Sequence, residues 1–275
     1  MDLPYAKTVQ EVLRRLNAYA ESEVSQEIAE SDEMHAAGDP AHYFAVGQSA
    51  INAIAQGMLL SGMTDPRTVL DMACGHGRVL RHMRVFFPDA RLVACDILRS
   101  GVDHCTETFG VEGVYASEDF AEVRFGCSFD VVWCGSLLTH LPEKRFGDCL
   151  TLLIDSLSNG GVLVATTVGR FAIWVQENLG MYMSDERFAP AERGFSESGF
   201  GFAKYPGADD FGIALSSPSS TLGMIAKRPN VRILGYQERG WDDQQDVFIL
   251  ARSSIDTAPG TAPYPSSLTA RDATG

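Results

Sequence analysis

The stretch that decides the fold is Thr68-Val69-Leu70-Asp71-Met72-Ala73-Cys74-Gly75-His76-Gly77-Arg78, followed by Arg91-Leu92-Val93-Ala94-Cys95-Asp96. An apolar run ends in a carboxylate and opens into a small, glycine-bearing turn. A helical pattern over 77–87 follows and is stopped by Pro88. A second apolar run then ends in Asp96, nineteen residues beyond Gly77. The order is strand, tight turn, helix, strand, carboxylate. Glycine lets the backbone of such a turn approach a ligand with no Cβ in the way. A carboxylate at the tip of the second strand can accept hydrogen bonds from both hydroxyls of a ribose.

Outward from this corner the chain alternates. Helices are expected near 99–109 and 142–158, and strands at 113–116, 129–134 and 162–167. Alternating strands and helices imply a parallel sheet with right-handed crossovers and both faces covered. Upstream, Val9, Val12, Leu13, Leu16 and Ala20 repeat at helical spacing. The acidic stretch 21–33 reads as a solvated helix face. After the Gly38-Asp39-Pro40 break, a helix is expected over 41–60, and the two helices form an N-terminal cap over 1–60. From 169 to 230 the alternation stops, and nine aromatics lie among glycines and charges. Two last strands, 231–237 and 246–251, are joined by a short connection and read as a hairpin. They close a main domain of 61–252, and the Ser/Thr/Pro/Ala-rich segment 253–275 reads as a disordered tail.

Composition narrows the function classes. Net charge is -14, with Lys7, Lys144, Lys204 and Lys227 the only lysines, so a phosphate backbone would be repelled and nucleic acid is set aside as a partner. The six cysteines include no C-x-x-C or other metal-ligand spacing, and no metal site is expected. No apolar run approaches a membrane span, and Met1-Asp2-Leu3-Pro4 does not open a secretory signal. The cytoplasm is the default expectation.

The turn reads D-x-A-x-G-x-G over Asp71, Ala73, Gly75 and Gly77. It resembles motif I of class I S-adenosylmethionine-dependent methyltransferases, written (D/E)-x-G-x-G-x-G, with Ala73 in place of the first glycine. Phe129 to Cys134 followed by Leu137-Leu138-Thr139-His140-Leu141-Pro142 looks like that family's fourth strand and the helix start after it. Leu157-Ser158-Asn159-Gly160-Gly161-Val162-Leu163 looks like its turn into strand five. A dinucleotide fingerprint would require a third glycine where Leu80 stands. That opposes a nicotinamide-dependent oxidoreductase, the rival enzyme class. A non-catalytic methyltransferase-like binding module is the other rival.

The resemblance implies an α/β, Rossmann-like, seven-stranded doubly wound sheet. Its strand order is 3-2-1-4-5-7-6 with strand 7 antiparallel, and the insertion 169–230 lies between strands 5 and 6. It implies S-adenosylmethionine as cofactor, held by the Asp71, Ala73, Gly75 and Gly77 loop. Asp96 would grip the ribose hydroxyls and Ile97 would pack on the adenine. Glu118 or Asp119 would read the adenine amino group, with both left open. Cys134 and Gly135 would offer carbonyls to the cofactor's ammonium, and Tyr43 would close over its carboxylate. His140, just beyond strand four, is the candidate general base, against a plain packing role near a helix start. The acceptor implied is a small polar molecule, a hydroxyl of a sugar or glycan, with a natural product or a protein side chain as alternatives. The aromatics of 169–230 are expected either to line the acceptor site or to form the insertion's own core.

Overall fold

The computed structural model describes residues 4–36, 39–208 and 210–253. Its strands are β1 (Thr68–Met72), β2 (Arg91–Asp96), β3 (Glu112–Tyr115), β4 (Phe129–Cys134), β5 (Leu157–Thr167), β6 (Phe200–Lys204), β7 (Gly212–Ser216), β8 (Val231–Trp241) and β9 (Gln245–Arg252). Its helices are α1 (Pro4–Ala20), α2 (Glu33–Ala36), α3 (Pro40–Ser61), α4 (Leu80–Phe86), α5 (Arg99–Phe109), α6 (Glu143–Asp155), α7 (Arg170–Leu179), α8 (Asp185–Ser198) and α9 (Pro218–Ala226).

Apolar side chains on both sides of the central strands force both faces of the sheet to be covered. Val69, Val131, Val162 and Val164 point to one face, where α1, α3, α4 and α5 pack. Leu70, Val132, Leu163 and Ala165, the next residues along, point to the other, where α6 and α9 pack. Among the described residues the main sheet runs β3-β2-β1-β4-β5-β9-β8. The first five strands are parallel, and β9 is antiparallel to both β5 and β8. This is the order expected from the sequence, with the last two strands renumbered because the insertion adds a hairpin of its own.

Helix α3 begins where Asp39 accepts a hydrogen bond from the Ala41 amide and ends at Gly62 in the left-handed conformation. It lies so close to the sheet that a Cβ on Gly57 would sit 2.5 Å from Val164. The N-terminal helices therefore share one core with the sheet.

One expectation is corrected. Residues 21–32 are irregular, not a helix face. They carry no apolar period, and the buried Arg81 guanidinium satisfies their carbonyls, donating to Ser25 O at 2.9 Å and Glu27 O at 2.8 Å. Residues 169–230, legible in sequence only as a break in the alternation, are built of regular elements. They hold α7, α8, the β6–β7 hairpin and α9, with a core of Val168, Ala172, Phe188, Ala191, Ala203, Ile213 and Leu215. The expected tail lies outside the described residues beyond Ser253. Among the described residues no helix is long and apolar enough to cross a membrane.

Candidate active site

The site forms at the carboxyl ends of β1, β2 and β4, where a parallel sheet leaves a crevice. At the end of β1 the chain turns sharply, with Ala73, Gly75 and Gly77 all at positive φ (63°, 51° and 83°). Ala73 bears the left-handed geometry at a cost of about 1–2 kcal/mol. It is held there because the Ala73 and Cys74 amides both donate to Cys95 O, at 2.8 and 3.1 Å. Asp96, at the tip of β2, accepts from Gly75 N and from Leu98 N, each at 2.8 Å. The same carboxylate thus locks the turn and retains lone pairs for a ligand.

Two cavities meet at Ala73. The first, of about 190 Å³, is walled by Asp96, Ile97, Glu118, Phe120, Leu137, Leu141 and Phe211 among others, and is largely apolar. The second, of about 220 Å³, is walled by Asp32, Met34, Asp71, Gly75, Arg78, Gly135, His140 and Trp241 among others. Of its charged residues, Asp71 and Arg78 make no ion pair among the described residues, although Asp32 and Asp242 act on Arg78 through space. Asp71 is buried, and its Oδ2 has no hydrogen-bond partner among the described residues. Desolvation first, and the charge of Asp96 second, push its carboxyl up to about 8. Arg78 is half-buried and makes no ion pair among the described residues. Its guanidinium lies 5.8 Å from the Trp241 ring and 6.0 Å from that of Tyr43, and burial lowers its pKa. An orphaned carboxylate and an unpaired guanidinium in one small cavity fit a ligand bearing an ammonium and a carboxylate.

His140 lines this second cavity. Its Nδ1 lies 2.8 Å from Gly212 O. A carbonyl only accepts, so Nδ1 carries the proton and Nε2 holds the lone pair in the neutral ring. Burial lowers the imidazole's pKa, partly offset by the Gly212 carbonyl. Phe211 stacks on the ring at 4.7 Å between centroids.

Several expected residues lie outside the two cavities or make contacts of their own. Tyr43 is buried and lines neither cavity. Its hydroxyl donates to Asp32 Oδ2 at 2.6 Å and receives Arg81 Nη2 at 3.3 Å, and burial drives its pKa well up. Asp32 and Met34 occupy the wall expected of Tyr43. Asp119 caps a short 3-10 turn by accepting from Ala121 N at 2.9 Å, and it does not line the first cavity, whereas Glu118 does. Gly77 lines neither cavity; a Cβ there would lie 2.5 Å from Phe109, so its lack of a side chain lets α5 pack against the turn. Cys134 is wholly buried in the sheet and also lines neither cavity. Gly135 does line the second, and its missing Cβ admits Trp133 and Trp241 at about 3 Å.

Gly101 and Arg78 carried no sequence signal of their own, and Trp241 only its place beside the short connection of the last two strands, which reads in sequence as either an acceptor-site rim or a plain turn. Gly101, at the start of α5, has room for no Cβ, which would come within 2.3 Å of Gly75 O. Arg78 follows the turn in sequence but shows its lack of a partner only in three dimensions. Trp241 reaches the cavity from a β8–β9 turn in which Arg239, Asp242 and Asp243 all take positive φ. Its Nε1 donates to Val46 O at 3.0 Å, and His42 pairs with Asp242 at 3.0 Å.

Residues 69–161 match the family model described as "Methyltransferase domain". A 102-residue stretch is 28% identical to malonyl-[acyl-carrier protein] O-methyltransferase of Acetivibrio thermocellus, covering 37% of this chain and 35% of that protein. The chain thus spans about a third of that curated relative's length. Among solved structures, a sugar N-methyltransferase of a Streptoalloteichus species aligns over 84% of this chain and 96% of its own, with a TM-score of 0.55 and 15% identity. An S-adenosylmethionine-dependent methyltransferase of Clostridium acetobutylicum aligns over 81% and 95%, with a TM-score of 0.53 and 11% identity. The glycine-bearing turn, the sheet order with its antiparallel closing strand and the family match over the first four strands agree: this chain has the class I, S-adenosylmethionine-dependent methyltransferase fold, and residues 69–161 match the model of a methyltransferase domain.

Proposed function

We propose that this chain binds S-adenosylmethionine and transfers its methyl group to a small polar acceptor. The observation that carries the reading is the pair of cavities joined at Ala73. The apolar one, rimmed by Asp96 and Glu118, suits an adenosine. The other pairs an orphaned Asp71 carboxylate with an unpaired Arg78, and suits an amino acid's ammonium and carboxylate. When bound, S-adenosylmethionine supplies an electrophilic methyl on a sulfonium whose leaving group is neutral. Asp96 accepts from the ribose hydroxyls, Ile97 and Phe211 flank the base, Asp71 meets the ammonium and Arg78 the carboxylate. Leu80 is wholly buried at the start of α4, so the helix packing that a third glycine provides in dinucleotide sites is absent.

His140 is the base in this reading. Its Nδ1–H is committed to Gly212 O, which leaves Nε2 free to take a proton from a hydroxyl or an ammonium acceptor. For the acceptor we favour a sugar or a related metabolite. The fold is shared with a sugar N-methyltransferase, and Phe171 and Trp174, stacked at 5.5 Å and 8° on α7 with Trp174 half-exposed, suit a sugar ring. An amine is as suitable a nucleophile as a hydroxyl for this base.

Calorimetric titration with S-adenosylmethionine, S-adenosylhomocysteine and NADH tests the cofactor; binding of NADH with no response to the other two would overturn it. Mass spectrometry of methyl transfer onto sugars, amino sugars, acyl carriers and peptides tests the acceptor class.

A further inference from the structure

Phe211 belongs to both halves of the site. One face of its ring stacks on His140, with centroids 4.7 Å apart and planes 26° from parallel. The same ring walls the adenosine cavity together with Leu137, Leu141 and Arg145. The next residue, Gly212, supplies the carbonyl that holds His140 Nδ1. Tyr205 completes the cluster, 5.9 Å from His140 and 5.8 Å from Phe211. The loop is pinned by Arg145, which donates to Asp210 O at 3.3 Å and to Glu118 O at 3.0 Å, so one guanidinium ties the adenosine wall to the segment that grips the imidazole.

We propose that Phe211 is a positioning residue that couples cofactor binding to the base: an adenine ring filling the first cavity presses Phe211 onto His140 and fixes the imidazole for proton transfer. This rests on the adenosine and base assignments above. Phe211 is 45% exposed, so one side of the stack is open to water until the cavity is filled. Covering it removes solvent from beside the imidazole and disfavours the charged ring. The charged and titratable groups of the two cavities and beside His140 come from every neighbouring element: Asp32 on the N-terminal segment, Asp71, His76 and Arg78 at the turn, Asp96 at the tip of β2, Glu118 after β3, Arg145 on α6, and Tyr205 on the insertion.

The test uses adenosine, which fills the first cavity and lacks the methionyl charges that would act on His140 directly. His140 is titrated by NMR in the full chain, as wild type, Phe211→Ala and Phe211→Leu, with and without adenosine. In wild type, adenosine is expected to lower the His140 midpoint by about 0.5 pH unit or more. In Phe211→Ala the ligand-free midpoint rises, and adenosine no longer moves it. Phe211→Leu keeps an apolar wall without the stack. It carries the comparison if the alanine variant loses adenosine binding, and it should show less than half the wild-type shift. Adenosine binding that leaves the wild-type midpoint unmoved, or moves all three proteins equally, overturns the coupling and leaves the cofactor reading standing. If neither adenosine nor S-adenosylhomocysteine binds, both fall.

Discussion

Asp71 is an acid held protonated by its surroundings, at about 8 against an ordinary 3.8. Between those two values the folded chain holds a proton that the unfolded chain has released. Its contribution to stability is therefore fully present below about pH 4 and is lost as pH rises through about 8. A cationic ligand group beside it lowers the folded pKa, so cofactor binding at pH 7 should expel a proton and tighten as pH rises from 6 to 8. Calorimetry in buffers of different ionisation enthalpy reads this directly. Asp71→Asn should abolish the proton release, and undiminished release would reassign it to another group. Asp96→Ala should weaken cofactor binding by about 2 kcal/mol, because hydrogen bonds to a charged group contribute about 1.5–3; it also strips the acceptor from Gly75 N and Leu98 N. His140→Ala should cut turnover by roughly 10²–10⁴ with cofactor affinity nearly unchanged. A loss under about fivefold would return His140 to packing against Phe211. The positions of Asp71, Asp96 and His140 were legible because strand ends announce themselves in sequence. Asp119 was ambiguous because caps and ligands draw on the same side chain, and the Tyr43–Asp32 hydrogen bond has no local pattern at all.

At the scale of elements, the sequence marked the central strands and the closing hairpin, since an apolar run bounded by turn residues has one physical solution in a two-sided sheet. It did not mark α7, α8 and the β6–β7 hairpin. Their apolar residues face several partners: Phe188 turns to the insertion's own core, Phe200 to the main sheet's, and Phe211 to His140. No single period survives such divided burial. With its own core, the insertion should be protected from hydrogen exchange before any ligand is added, with added protection on acceptor binding confined to the edges at 169–174 and 205–212. The contact of α5 with the glycine turn gives a sharper contrast. A Cβ on Gly101 would strike the Gly75 backbone, so Gly101→Ala should displace the turn and weaken S-adenosylhomocysteine at least tenfold. Gly147, inside α6, has open space around its Cβ position. Gly147→Ala should leave binding alone and stabilise the fold by up to about 1 kcal/mol. Equal effects of the two would remove α5 from any role in shaping the site.

Across the whole molecule, one buried cation joins the N-terminal segment to the glycine turn and the main sheet. Arg81, 1% exposed, donates to Gly77 O behind the glycine turn, to Ser25 O and Glu27 O of the irregular segment, and to the Tyr43 hydroxyl on α3. Its guanidinium also lies 5.2–5.5 Å from the rings of Phe109, Tyr43 and Phe44. Residue 81 reads in sequence as an ordinary position on a short helix, because a carbonyl contributed by a distant irregular segment leaves no periodic trace. Through the Tyr43 hydroxyl, which donates to Asp32, this contact reaches the wall of the second cavity. Arg81→Met keeps much of the side-chain volume and removes the donor to Ser25 O, Glu27 O and the Tyr43 hydroxyl, while Gly77 O keeps the residue-81 amide at 3.1 Å. It should cost about 3 kcal/mol, the scale of losing hydrogen bonds from a buried charged group. It should also raise hydrogen exchange through 21–36 and weaken S-adenosylhomocysteine, because the wall of the second cavity is loosened along with the fold. Urea unfolding followed by circular dichroism, exchange mapped by mass spectrometry and calorimetry measure the three effects. An unchanged unfolding midpoint with unchanged exchange over 21–36 would mean that the segment is held by the Ser31–His76 and Tyr43–Asp32 hydrogen bonds alone. A lowered midpoint with unchanged ligand affinity would mean that the pin serves the fold and not the site.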